Sequence, residues 1–252
     1  MSEKKNRLFY ILGSFFIANA LLAEFVGIKI FSLEKTLGLT PLNLTIFGIE
    51  NLAFNLTAGT LLWPVVFIMT DIINEYFGRR GVRFLSFTAA GLILYAFIMV
   101  YFSIGLTPSS FWIERTSDAG TLNMDLAFNT IFGQGMWIIA GSLTAFLIGQ
   151  LVDVTVFHFL KSKTGNSKIW LRATGSTLVS QFVDSFVVLF IAFYFGAGWS
   201  ITLVLAIGAV NYIYKFVIAI LLTPALYLVH YFVDLYLGKE TAYKLMADAT
   251  EK

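Results

Sequence analysis

Long apolar runs alternate along the chain with short polar, basic or turn-rich breaks. Six runs stand out, at roughly 8–31, 57–77, 84–106, 131–157, 174–196 and 201–231. Each reaches the roughly 20 residues that carry an α-helix through a hydrocarbon layer. The fourth and sixth exceed it, which predicts tilt or an interfacial extension. Segment 32–56, SLEKTLGLTPLNLTIFGIENLAFNL, has β-branched patches broken by Pro and Gly. It predicts a short β-hairpin capping one face of the molecule. Segment 107–130 has turn residues and aromatics and predicts a loop, a candidate lid. Segment 161–172, KSKTGNSKIWLR, predicts a basic connector with an interfacial Trp170. The expected architecture is all-α: an integral membrane bundle of six transmembrane helices over 1–236, with a C-terminal tail over 237–252.

Composition agrees with this pattern. The 252 residues are 58% hydrophobic and only 13% charged, where a soluble domain is about a quarter charged. The absence of cysteine excludes disulfides and thiolate metal sites. The two histidines, His158 and His230, are far apart in the chain, so a His-based metal centre is not expected, nor is a cofactor. The first run continues past Glu24 without a small-residue cleavage site, and it reads as a span rather than a signal peptide.

The basic residues set the expected orientation. Lys4, Lys5 and Arg7 precede run one, and Arg79, Arg80 and Arg83 follow run two. Lys161, Lys163, Lys168 and Arg172 follow run four, and Lys239, Lys244 and Lys252 lie in the tail. These are 13 of the 17 Lys and Arg residues. By the positive-inside rule both termini face the cytoplasm. The opposite side holds only Lys35 and Arg115, and Lys29 and Lys215 fall within runs.

Ionisable residues inside spans are functional candidates, because a buried charge in lipid is expensive. Asp71, Asn74 and Glu75 share one helix face in run two. Glu75 is four before Arg79, which predicts an interfacial ion pair. Asp71 lies about 12 Å from Arg79 along a helix, too deep for its short stem to snorkel. Run four carries Gln150 and Asp153, and run five carries Gln181 and Asp184, so a Q-x-V-D tetrad occurs twice at a spacing of 31. Asp184 lies about 18 Å into the layer from Arg172. Run six places Asn211 and Lys215 at i, i+4, and Lys215 is the natural partner for one aspartate. Five acids, Glu24, Asp71, Glu75, Asp153 and Asp184, stand against Lys29 and Lys215. The excess predicts a bound cation, bound protons, or a ligand rich in hydrogen-bond donors. Enzymatic readings lack support: no phosphate-binding glycine loop or nucleophile elbow is present. The matching depths of Asp71 and Asp153 hint at an internal repeat, but their helices run the same way and do not fit an inverted one.

Four segments together resemble a known family. PVVFIMTDIINEYFGRRGVR, GQLVDVTVFHFLK, RATGSTLVSQFVDSFVVLFIAFYF and NYIYKFVIAILLTPALYLV are similar in order and spacing to the queuosine-precursor transporters, also called vitamin uptake transporters. The resemblance covers about 60–236. It implies import of 7-deazaguanines (preQ0, preQ1 or queuine) across the cytoplasmic membrane for tRNA modification. It also implies a substrate site at Asp71, Asn74, Gln150, Asp153, Gln181, Asp184, Asn211 and Lys215. A carboxylate can accept the ring's adjacent N–H donors while an amide or lysine serves the carbonyl. The expected partners are this purine-like molecule and the lipid bilayer, with H⁺ as a candidate coupling ion and no nucleic acid. Two competing readings stay open: the substrate-binding membrane subunit of an ATP-driven vitamin transporter, and a membrane enzyme or structural bundle.

Overall fold

The computed structural model describes residues 2–118, 120–133, 135–165 and 168–251. Lys252, residues 166 and 167 of the predicted connector, residue 119 of the predicted loop and residue 134 of the predicted fourth span lie outside them. The chain is a helical membrane bundle, with three small two-stranded sheets among the described residues. Among the same residues five helices are long and apolar enough to cross a membrane. One of them doubles back and supplies two crossings.

Helix α1 spans Ser2–Val26. It ends before Lys29, which is exposed in the following turn rather than embedded in the span. The capping segment then forms strand β1 (Ile30–Ser32), helix α2 (Leu33–Thr36), and strands β2 (Leu44–Ile46), β3 (Ile49–Leu52) and β4 (Asn55–Thr57). β2 and β3 make the expected hairpin, and β1 pairs antiparallel with β4 around it. Buried Glu34 ties the layers, its Oε1 accepting from the Phe54 N–H at 2.8 Å.

Helix α3 is recorded over Trp63–Ile104, with non-helical backbone at Gly78 (φ 71°, ψ −174°). That region is open only to glycine. Sixteen residues of straight helix would separate Thr70 from Ser86 by about 24 Å. Yet their hydroxyls lie 3.3 Å and 3.4 Å from the same oxygen, Gln150 Oε1. The two arms, 63–77 and 79–104, therefore fold back on each other. The reversal takes one residue, so Arg79 and Arg83 belong to the second arm rather than to a loop. The first arm is too short to span a bilayer alone. A 3₁₀ turn at Ala58–Leu61 extends it, so the predicted second span begins with irregular backbone.

The predicted loop 107–130 contains helix α4 (Ser110–Ile113), hairpin strands β5 (Glu114–Ser117) and β6 (Gly120–Asn123), and the start of helix α5 (Met124–Phe132). Helices α6 (Met136–Thr164), α7 (Ile169–Leu189, continued as a π-helical turn over Phe190–Phe195) and α8 (Ile201–Leu221) complete the crossings. The predicted sixth span ends early, because Thr223–Pro224 starts a new helix, α9 (Thr223–Leu237). Proline lacks the N–H that would continue α8. Helix α10 (Lys239–Glu251) packs against α3 beside Gly78, where Ala249 O would lie 3.0 Å from an added Cβ.

The core is a slab of Leu8, Leu12 and Phe16 from α1, Ile72, Ile73, Val82 and Ile93 from α3, and Phe146 and Phe157 from α6. The basic residues gather at one end of the molecule. Phe9 packs on Phe77 at 5.0 Å, Lys4 reaches Tyr236 O, and Lys161 reaches Met246 O.

Candidate functional site

The face Asp71–Asn74–Glu75 is wholly buried. The structure gives its three members different surroundings. Glu75 does not pair with Arg79. The bend at Gly78 removes the i, i+4 relation, and Arg79 is exposed. Instead Arg172 of α7 grips Glu75 with two bonds, Nε to Oε2 at 3.0 Å and Nη2 to Oε1 at 2.8 Å. Lys161 of α6 adds an ion pair at 3.4 Å. All three side chains are at most 1% exposed. Two charges that look like solvated loop residues in sequence therefore join three helices at the basic end. Beside them Tyr76 donates to Asp234 Oδ1 at 2.5 Å and lies 3.0 Å from His230 Nδ1, tying α9 to α3.

One helical turn away, Asp71 opens onto a cavity of about 530 Å³, part of it open to the outside. The first arm of α3 lines one wall with Trp63, Phe67, Ile68 and Asp71, a stripe at helical spacing. Helix α8 lines the other with Tyr214, Lys215, Ile218, Ala219 and Leu222, and Thr174 and Thr177 of α7 lie between them.

Helices α6 and α7 pack antiparallel and more extensively than any other pair. Gly149 faces Asp184: a Cβ there would lie 3.6 Å from Asp184 Cβ, in ordinary van der Waals contact. One turn on, the Ser180 hydroxyl donates to Asp153 Oδ1 at 3.3 Å. Exchanging each α6 residue with the α7 residue 31 later turns one of these contacts into the other. The repeated tetrads are thus related by a local two-fold between adjoining helices. Their acids point to different neighbours. Asp184 Oδ2 accepts from Lys215 at 2.5 Å, while Asp153 Oδ1 accepts from Ser180. Asp184 therefore stands behind a cavity-lining partner, Lys215.

Of the eight residues singled out in sequence, Asp71 and Lys215 line the cavity, Asp184 pairs with Lys215, and Asp153 is buried against Ser180 of α7. Asn74 and Gln181 lie one turn from Asp71 and Thr177 and are buried. Gln150 faces Thr70 and Ser86 between the arms of α3. Asn211 is half-buried on α8, one turn before Lys215. Four of the set carry buried atoms without a hydrogen-bond partner: Asp71 Oδ1, both amide atoms of Asn74, Asp153 Oδ2 and Gln181 Oε1. Each such atom costs about 1–3 kcal/mol unless something satisfies it. Native proteins leave few of them. Sequence reasoning did not assign Thr177 or the Lys161–Arg172 pair. The fifth acid, Glu24, is served by Ser142, whose Oγ lies 2.6 Å from both carboxylate oxygens.

A protein-family model described as "Putative vitamin uptake transporter" matches residues 57–229. Curated relatives carry names of the same kind. A "Probable queuosine precursor transporter" of Haemophilus influenzae is 30% identical over 190 residues, 72% of this chain and 71% of the relative. A second protein of that name, from Bacillus subtilis, is 28% identical over 183 residues, 71% of this chain and 73% of its own length. The "Queuosine precursor transporter" of Escherichia coli is 27% identical over 182 residues, 70% and 73% of the two chains. No solved structure gives a significant match.

Proposed function

This chain belongs to the vitamin uptake transporter family, and on that premise we propose that it imports queuosine precursors, 7-deazaguanines such as preQ0, preQ1 or queuine, across the cytoplasmic membrane. It is a multi-pass membrane transporter rather than an enzyme. The observation that carries the substrate class is the pairing across the cavity: an acid with an orphaned oxygen, Asp71, on one wall and a cation, Lys215, on the other. A deazaguanine edge offers adjacent N–H donors beside a carbonyl acceptor, which is the complement of that pair. Asp153, Gln181, Asn74 and Asp184 then complete the polar shell, and Gln150 and Asn211 hold its margins. A cationic aminomethyl substituent finds a second carboxylate in Asp184.

The gathering of basic residues at one end supports an orientation with both termini in the cytoplasm. At the basic end Arg172 ties α7 to Glu75 of α3. Alternating access requires such a tie to open during passage. The clustered acids suit proton coupling in a secondary transporter.

A thermal-shift panel of guanine, preQ0, preQ1, queuine and adenine tests the substrate class. Stabilisation by a saturating precursor is expected, about 2.7 kcal/mol at one hundred times Kd. It should be lost in Asp71→Asn. Equal shifts with adenine, or none with any precursor, contradict the reading.

A further inference from the structure

We propose that Trp63 and Tyr214, on the two helices that flank the cavity, form an aromatic clamp for the flat faces of a heteroaromatic ring, while Asp71 and Lys215 read its edge. The inference rests on the transport reading above and adds residues to it.

The cavity sorts its chemistry by position. Its long walls are apolar or aromatic, with Trp63, Phe67 and Ile68 on α3 and Tyr214, Ile218, Ala219 and Leu222 on α8. The charged groups among the lining are Asp71 and Lys215. A ligand that fits such a lining has apolar faces and a polar rim. A sugar or an amino acid lacks that division, and a fused heteroaromatic base has it. Stacking on aromatic side chains is how bases are held through their faces, at about 1–3 kcal/mol per base.

The Trp63 ring is also held in place. Trp63 lies 6.0 Å from Phe67 with planes only 19° apart, and it touches Phe146 at 5.7 Å. Tyr214 lines the same cavity as Thr60 and Trp63. Side chains already ordered lose little entropy when a ligand arrives. Trp63 and Tyr214 are half-buried, unlike outward aromatics such as Tyr101 at 75% or Phe102 at 62% exposure. Lipid contact therefore does not account for them.

The test uses the purified full chain in detergent, with 7-deazaguanine as probe and tryptophan fluorescence as readout. Binding by the wild type should quench emission. Trp63→Phe keeps a stacking face, so it should bind within about threefold of wild type but lose most of the quench. Trp63→Leu and Tyr214→Leu should each weaken binding by at least about tenfold, the range that the stacking energy converts to. Melting temperatures of the ligand-free variants check folding, and Trp63→Phe preserves the test if Trp63→Leu fails to fold. Wild-type affinity in Tyr214→Leu and Trp63→Leu, or a full quench in Trp63→Phe, overturns the clamp and leaves the transport reading standing. Failure of the wild type to bind the probe overturns both.

Discussion

Two acid–base pairs separate structure from function at the scale of single residues. Glu75 is gripped by Arg172 and Lys161 with no solvent access. Removing one member of such a cluster strands the others, at about 3–5 kcal/mol. Asp184 and Lys215 are 22% and 14% exposed beside the cavity, so water compensates part of any loss. Glu75→Gln should therefore lower the melting temperature far more than Asp184→Asn, while Asp184→Asn should impair uptake despite folding normally. Thermal melts and uptake measured on both variants check this, and the reverse ordering contradicts it. Asp71, Asp153, Asp184 and Lys215 were legible in the sequence because a charge in a long apolar run is conspicuous. Lys161 and Arg172 were not. Their partner Glu75 is 86 and 97 positions away, and near a span's end a buried cation reads the same as a solvated one.

At the scale of elements, the apolar runs placed the crossings but not their ends. A hydropathy pattern reports where burial in lipid is favourable, and it is silent on backbone reversal. The single-residue turn at Gly78 needs only a positive φ, which no pattern of polarity reveals. Likewise the break before Pro224 left the apolar run intact and shortened the sixth crossing. Gly78→Ala should destabilise by about 1–3 kcal/mol, because the new Cβ forces a strained backbone and meets Ala249 O. Gly91→Ala, in helical backbone with open space around it, should be close to neutral. Denaturation of the two variants in the same detergent makes the comparison. The repeated tetrad was visible as a spacing of 31, but its meaning depended on which helices adjoin, and only the α6–α7 packing supplies that.

At the scale of the whole molecule, α1 and α10 pack on α3, α3 packs on α6, α6 on α7 and α7 on α8, and α3, α7 and α8 line the cavity. We propose that the carrier works as a single chain. Reconstitution of that chain alone into liposomes, with labelled preQ1 supplied outside, tests this most directly. The account predicts time-dependent accumulation that unlabelled preQ1 competes away and that Asp71→Asn abolishes. Binding without any accumulation, or accumulation unaffected by Asp71→Asn, would contradict it.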